Sequence, residues 1–387
     1  MTQWVKKNEK FINLFFGGLT VAYGLLCFFL YYKQSVADLT VAGEIPYQSD
    51  LPLHISMIVE DGWLYSFTAF AYKALHVLCG GSTIGIALLL ALCSYGTVLL
   101  TESLLITLGL AKTKNWHSLL TALTLNFVMP IFIPAVGEFR YVSYQVGNIW
   151  HNSTYICMRT AALAVLLMYF KLEKEYRQGI SLKDWMVFAV LNIICTGIKP
   201  SFLLAFSPIM GLFLLVDLFK KVPFINILKF GSALLPSGLV ILWQNAVLFG
   251  QETGNGIAVR PWYTFSLHAN IPKLTVVCSA LFCGLTLLAT FKELLKDRKY
   301  LFITAMAALG FSEALLLVEN GSRAVDGNFL WGYSFCLAVW FAACAVKWLR
   351  MRTKAVQIVL AIVYAAHLYC GLYFYVNLVS GVGFFMK

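Results

Sequence analysis

The sequence predicts an all-α polytopic membrane protein that forms a single transmembrane domain over residues 1–387. Hydrophobic residues make up 60% of the chain and charged residues only 12%, whereas a soluble domain has about 25% charged residues. Apolar runs recur along the whole chain, many of them close to the ~20 residues that a helix needs to cross a bilayer. Short connections rich in lysine and arginine separate these runs. Together these observations exclude a soluble globular domain.

The apolar runs predict about eleven membrane spans. They cover residues 11–32, 82–111, 118–136, 155–170, 185–198, 201–219, 230–249, 273–291, 300–318, 330–346 and 355–379. The first run follows a basic start and precedes no small-residue cleavage site, so we expect a retained helix rather than a removed signal peptide. Lys199-Pro200 divides two short runs, which leaves the count open by about one or two.

Basic residues are distributed unequally between the two sets of connections. If the N-terminus is cytoplasmic and the spans alternate, 20 of the 29 lysines and arginines lie on the cytoplasmic side. The other nine are Lys33, Lys73, Arg140, Arg159, Lys199, Arg260, Lys273, Arg323 and Lys387. This bias predicts a multi-pass protein of the cell membrane with a cytoplasmic N-terminus. The net charge of +11 then anchors the topology, and we expect no nucleic-acid partner.

The first outward connection, residues 33–81, is too long for a simple loop. Ser49 or Asp50 can cap a short helix that has Pro52 in its first turn. Glu60-Asp61-Gly62 ends that helix, and an amphipathic helix follows over roughly 63–79. We expect both helices to lie parallel to the membrane interface, because the second has an apolar stripe with polar residues beside it.

The same connection carries the candidate catalytic residues Asp50, His54 and Asp61. Asp50 and His54 are four residues apart, so a helix places them on one face. A carboxylate at the outer membrane surface can act as a general base toward a hydroxyl, and a histidine beside it can orient it or bind an anion. The simpler alternative is that Asp50 is only a helix cap.

Further polar residues mark the other outward connections and suggest substrate binding. The candidates are Glu138, Arg140, His151, Arg159, Lys199, Arg260, His268 and Arg323. Arg159 falls inside a predicted span, where an arginine is costly and indicates function. Lys199 has no nearby acid in sequence and can hold a phosphate as a point charge. For both, the alternative is a side chain that reaches to the outer interface.

The remaining unusual residues carry weaker signals. Asn152 or Ser153 is expected to cap the span that starts at Tyr155. Glu102 and Glu313 lie inside spans, either as buried partners between helices or as pathway residues. We interpret His367 as a hydrogen-bonded core histidine. The ten cysteines lie almost all in apolar runs without metal-type spacing, so we expect neither a metal nor another cofactor.

Three stretches give the chain a likeness to a known class. "YQSDLPLHI" directly after the first span resembles the acidic loop start of GT-C integral-membrane glycosyltransferases, and "WHNSTY" and "GIKPSFLLAFSP" resemble elements of their bacterial members. The resemblance implies a polyprenyl-phosphate sugar donor, a glycan or lipid acceptor, and Asp50 in the position of the catalytic acid. The chain departs from the pattern because no second acid adjoins Asp50. Glu60-Asp61 follows a helix later, which leaves Asp50 and Asp61 as alternatives.

The expected function is therefore transfer of a sugar to an acceptor hydroxyl on the outward face, in cell-envelope glycan or glycolipid assembly. A polysaccharide polymerase or ligase is one alternative, although such proteins place their largest outward loop late in the chain. A transporter of lipid-linked glycans or solutes is another, and it predicts internal symmetry that the chain lacks. A membrane acyltransferase would need a histidine buried in a helix, for which His367 is the candidate.

Overall fold

The computed structural model describes residues 8–40, 45–249 and 256–387, and these are predominantly helical. The helices are α1 (Glu9–Ser35), α2 (Leu51–Val59), α3 (Phe67–Leu78), α4 (Ile84–Thr107), α5 (Trp116–Leu125), α6 (Ser153–Glu175), α7 (Leu182–Ile198), α8 (Ser201–Phe219), α9 (Phe224–Gly231), α10 (Leu235–Phe249), α11 (Tyr263–Ser266), α12 (Pro272–Ala289), α13 (Phe291–Leu294), α14 (Arg298–Leu316), α15 (Leu330–Leu349) and α16 (Lys354–Val379). Two short strands, β1 (Ile257–Val259) and β2 (Leu317–Glu319), pair antiparallel.

The prediction of an all-α multi-pass membrane protein agrees with this architecture. Within the described ranges, nine helical segments are long and apolar enough to cross a membrane. The predicted span 185–198 lies in α7, a helix of 17 residues. The predicted number of about eleven spans is therefore not confirmed, although the break at Lys199-Pro200 between α7 and α8 is present.

The predicted span 118–136 is wrong as a continuous helix. Helix α5 ends at Leu125 after ten residues, and residues 126–152 contain no helix. We call 126–152 the inner segment, because most of its residues from Asn126 to Pro130 and from Ser143 to Asn152 are buried. Non-helical chain at membrane depth requires partners inside the protein.

The backbone of the inner segment finds those partners on neighbouring helices. The Met129 N–H donates to the His367 carbonyl at 3.1 Å, and the Ile131 N–H donates to the Cys278 carbonyl at 3.1 Å. His367 Nδ1 lies 2.7 Å from the Met129 carbonyl oxygen. The Asn148 amide donates to the Leu125 carbonyl at the end of α5, at 3.0 Å, and to the Val128 carbonyl within the inner segment, at 2.6 Å. These bonds confirm the expectation that His367 is a hydrogen-bonded core histidine.

The predicted outward connections gather at one end of the bundle, which we call the loop end. It consists of the described residues between α1 and α4 (36–40 and 45–83), the end of the inner segment, Lys199-Pro200, the β1–β2 region and residues 380–387. Cross-connections include Tyr47 N–H to Gly381 O (3.0 Å), Glu138 N–H to His268 O (3.1 Å) and Arg260 N–H to Leu316 O (2.8 Å). The two short helices predicted in the first connection are α2 and α3, and α3 begins later than expected, at Phe67.

The predicted cytoplasmic connections meet at the opposite end, around a buried carboxylate. Asp217 at the end of α8 accepts hydrogen bonds from Tyr176, Arg177 and Arg298. Arg298 binds it through both terminal nitrogens, at 3.0 and 2.7 Å. This bidentate pairing joins α8 and α14, and Tyr176 and Arg177 connect the end of α6 to the same carboxylate, where an isolated buried charge would be costly.

Gly371 on α16 provides a stability test, because it lets the inner segment pass. A Cβ atom built there would lie 1.4 Å from the Phe127 carbonyl oxygen. We expect Gly371→Ala to displace the segment and to destabilise the protein by at least the ~1–3 kcal/mol typical of overpacking. The measurement is the thermal unfolding midpoint of purified protein in detergent. The control is Gly284→Ala, where a Cβ meets nothing within 4 Å, and equal midpoints for both variants would contradict the role of Gly371.

Candidate functional site

The loop end brings Asp50 to the start of α6, far along the chain. Asp50 occupies the N-cap position of α2, yet its side chain makes no capping hydrogen bond. The Leu51 N–H is bound instead by the Ser49 hydroxyl, at 3.3 Å. The Asp50 carboxylate accepts a hydrogen bond from the Asn152 amide at 2.8 Å. Asp50 is therefore more than a helix cap.

Asn152 determines how Asp50 is held. As the N-cap of α6, its Oδ1 accepts from the Tyr155 N–H and from the Thr154 hydroxyl, both at 3.0 Å. Because the oxygen is engaged in capping, the amide nitrogen is left to face Asp50. This amide N–H therefore orients the Asp50 carboxylate. The predicted capping role of Asn152 is confirmed, and the same side chain also binds the Asp50 carboxylate.

Lys199 joins the same chain of hydrogen bonds. It is the C-cap of α7, and its ammonium group donates to the Thr154 hydroxyl at 3.1 Å. The hydrogen bonds thus run from Lys199 through Thr154 and Asn152 to Asp50, and we call these four residues the relay. Loss of hydration lowers the pKa of Lys199 to about 8, while Asp50 opposes this shift and Arg323 adds to it. Lys199 is therefore mainly cationic at neutral pH.

Two histidines flank the carboxylate. His151 Nε2 lies 4.0 Å from Asp50 Oδ2, and His54 Nδ1 lies 3.1 Å from the Ser153 hydroxyl. Burial lowers the pKa of both imidazoles, against the opposing effect of Asp50. Both are therefore mainly neutral at pH 7, since the ordinary histidine pKa of about 6.5 is already below that pH.

Trp331, at the start of α15, forms an aromatic wall beside Lys199. The Lys199 ammonium lies 4.7 Å from the centre of the Trp331 ring. The centres of the Tyr155 and Trp331 rings are 5.8 Å apart. The Trp331 indole N–H donates to Asn328 at 3.3 Å. Asn328 in turn donates to Glu319, which also accepts from Arg323 at 2.9 Å. The candidate residue Arg323 is therefore connected, through Glu319 and Asn328, to the tryptophan that contacts Lys199.

The other candidates lie elsewhere at the loop end. Glu138 is 3.7 Å from His268 and 3.8 Å from Lys387, in an exposed ion cluster. Arg140 is held between the rings of Phe132 and Tyr373, 4.3 Å from each ring centre. These residues form a neighbouring group, and their side-chain contacts are with one another and with adjacent rings.

Three further candidate residues lie outside both the relay and the Glu138 group. Arg260 is exposed, with its guanidinium 5.9 Å from the Tyr263 ring centre. Arg159 lines a small polar cavity together with Ser94, Thr97 and Asn126. Asp61 is exposed beyond the end of α2. The hydrogen bonds therefore connect Asp50, rather than Asp61, with Lys199.

Sequence reasoning did not assign Asn152, Thr154 and Trp331 to the site. The run "WHNSTY" was the available signal, but a capping role explains its asparagine equally well. The open question about Glu102 is answered by its contact, because its carboxylate accepts from the Ser118 hydroxyl at 2.7 Å. Glu102 is a buried partner between α4 and α5.

The relay places a carboxylate and a cation at the two ends of one hydrogen-bonded chain. The Asp50 carboxylate is 33% exposed, the Lys199 side chain is half-buried, and two mainly neutral imidazoles lie beside the relay. Among the described residues, no group of three or more histidine, cysteine, aspartate or glutamate side chains could hold a metal ion. The chemistry that these side chains offer is acid–base and electrostatic.

Fold and site define a polytopic helical membrane protein with an acid–base cluster at one end of its bundle. No protein-family model matches the chain, and a comparison with curated proteins gives no significant match.

The dual role of Asn152 leads to a stability prediction. Asn152→Ser keeps a capping oxygen but loses the donor to Asp50, whereas Asn152→Ala loses both. We expect the alanine variant to be less stable than the serine variant by about 1 kcal/mol, the usual contribution of an N-cap. The measurement is denaturant unfolding in detergent. Ser181→Ala at the opposite end removes the cap of α7 together with a hydrogen bond to the Asp184 carboxylate, and it supplies the cost of losing a capping serine away from the site. Equal stabilities of the two Asn152 variants would rule out the capping contribution.

Proposed function

We propose that this protein is a membrane glycosyltransferase that moves a sugar from a polyprenyl-phosphate donor to an acceptor hydroxyl. The proposed site faces outward, and the acceptor is a glycan or lipid of the cell envelope. The observation that carries the proposal is the relay, in which one hydrogen-bonded chain joins Lys199 to Asp50. A phosphate ester requires a cation, and a hydroxyl nucleophile requires a base.

The position of Lys199 suits the phosphate of a lipid-linked donor. Lys199-Pro200 precedes α8, and Thr154 lies in the first turn of α6. The ammonium group therefore contacts the N-terminal turn of α6, and Lys199 directly precedes the N-terminus of α8 in the chain; helix N-termini favour anions. The proposed donor places its isoprenoid chain among the apolar helices and its phosphate at Lys199. Trp331 beside Lys199 offers a ring face for the sugar.

The outward orientation rests on the distribution of charge. The loop end carries the connections that are poor in lysine and arginine, and the opposite end carries the basic ones. Cells retain basic connections on the cytoplasmic side. The separation of the two groups of connections at opposite ends of the bundle supports the predicted alternation of the spans.

The proposed reaction uses Asp50 as the general base. Its carboxylate takes the proton of the acceptor hydroxyl while that oxygen attacks the anomeric carbon of the sugar. The bond between the anomeric carbon and the donor phosphate breaks, and polyprenyl phosphate leaves with the electron pair. Lys199 stabilises the negative charge that develops on the leaving phosphate. The imidazoles of His54 and His151 are mainly neutral, so no histidine cation competes with the acceptor hydroxyl for the Asp50 carboxylate.

Substitution of the acids provides the first test. We expect Asp50→Asn to lower sugar transfer by about 100-fold or more, the usual contribution of a general base. The measurement is transfer of labelled sugar from polyprenyl-phosphate donors to membrane acceptors by protein in vesicles. Asp61→Asn distinguishes the two acids left open by the sequence, and Glu60→Gln is the matched control at the exposed end of α2. Full activity of Asp50→Asn contradicts the assignment, and transfer only from diphosphate-linked glycans favours a polymerase or ligase.

The pKa of Lys199 leads to a second test. Lys199 is protonated below about 8 and loses its charge above it. We therefore expect the apparent affinity for the donor to weaken as the pH rises through 8. Lys199→Arg stays cationic throughout this range, so its donor affinity, normalised to its own value at pH 7, should not show this alkaline loss. The measurement is the donor KM between pH 6.5 and 9.5, and identical normalised profiles of the two proteins would exclude Lys199 as the titrating group.

A further inference from the structure

The chain after α16 folds back over the proposed site. We call residues 380–387 the strap. It turns at Gly381, whose φ of +99° is accessible mainly to glycine. The Tyr47 N–H donates to the Gly381 carbonyl at 3.0 Å, only a few residues before Asp50. The strap is therefore tied to the connection that carries the proposed base.

A second attachment fixes the far end of the strap. The Arg140 N–H donates to the Met386 carbonyl at 2.9 Å, and Arg140 Nε donates to the Lys387 carbonyl at 3.0 Å. Between these attachments lies Phe384, which is only 9% exposed. A short segment bound at both ends holds the side chain between them in a defined place.

Phe384 packs face to face on His151. The two ring centres are 4.3 Å apart and the ring planes differ by 12°. Tyr141 contacts the same imidazole edge-on, with ring centres 4.5 Å apart. Between these rings His151 is 4% exposed, and its Nε2 lies 4.0 Å from Asp50. The aromatic contacts thus set both the orientation of His151 and its separation from water.

We propose that Phe384, carried by the strap, is a positioning residue that holds the His151 imidazole against Asp50 and shields it from water. Three titratable groups face His151. They are Asp50 at the N-cap of α2, His54 within α2, and Tyr141 on the inner segment. Burial lowers the pKa of His151 and Asp50 raises it. Without Phe384, water reaches the ring and its pKa rises, so that an imidazolium forms beside the carboxylate at a higher pH.

Chemical modification of histidines tests whether Phe384 shields His151, and the readout does not depend on enzyme activity. The whole protein in lipid nanodiscs is treated with diethyl pyrocarbonate, and each histidine is followed by mass spectrometry. We expect His151 in the wild-type protein to react about tenfold more slowly than His268, whose side chain is 47% exposed. Phe384→Leu should remove most of this protection, and Phe384→Trp, which keeps a stacking ring, should retain it.

The strap supplies its own control. Phe385 is adjacent, 40% exposed, and packs on Phe139 with ring centres 5.5 Å apart. Phe385→Leu should leave His151 protected. The proposal is overturned if Phe384→Leu leaves His151 protected, or if Phe385→Leu exposes it equally. It is also overturned if the buried His367 becomes reactive together with His151, because the role of Phe384 would then be general stability.

The pH dependence of sugar transfer tests the positioning role and rests on the proposed function. We expect Phe384→Leu to shift the acidic limb of the rate profile to higher pH, because burial would no longer lower the pKa of His151 as strongly. Phe384→Trp should restore the wild-type limb. An equal loss at every pH overturns the positioning role. A wild-type protein without transfer activity would contradict the proposed function alone, because the modification result stands independently.

Discussion

Backbone amides and carbonyls at membrane depth need partners inside the protein, and this requirement shapes the structure most strongly at residues 126–152. Helix α5 stops at Leu125, and the inner segment continues as buried chain that depends on α12 and α16 for hydrogen bonds. Gly371 provides the space for this approach. The same segment ends at His151 and Asn152, so the scaffold that satisfies the backbone also delivers the polar side chains of the site.

Asn152 shows how one residue connects folding with chemistry. Its oxygen caps α6, and this leaves its nitrogen to face the carboxylate of Asp50. Thr154 extends the arrangement to Lys199. Helix capping, carboxylate orientation and the placement of a cation therefore depend on a single turn. At the other end of the bundle, Asp217 joins three helices through a buried ion pair, so polar contacts connect the helices at both ends.

Much of the fold followed from local patterns. Apolar runs predicted nearly all the long helices, and turn residues predicted α2 and α3. The count of about eleven spans is not confirmed. The continuous helix expected over 118–136 is wrong because the pattern is ambiguous there: an apolar run suits a helix and a buried non-helical chain equally well. Of the candidate residues, Asp50, His54, His151, Lys199 and Arg323 come together at the site. Glu138, Arg140 and His268 form a neighbouring cluster, since their loops meet on the other side of the strap.

The sequence by itself determined the membrane class, the alternation of basic and non-basic connections and the candidacy of Asp50, because composition and charge act locally along the chain. Only the tertiary structure decided that Asp50, rather than Asp61, is linked to Lys199, and that Asn152 and Thr154 form this link. It also decided that Phe384 covers His151. These contacts connect residues separated by tens to hundreds of positions. No local pattern records such pairs, because they depend on how the helices pack and on where the non-helical chain passes between them.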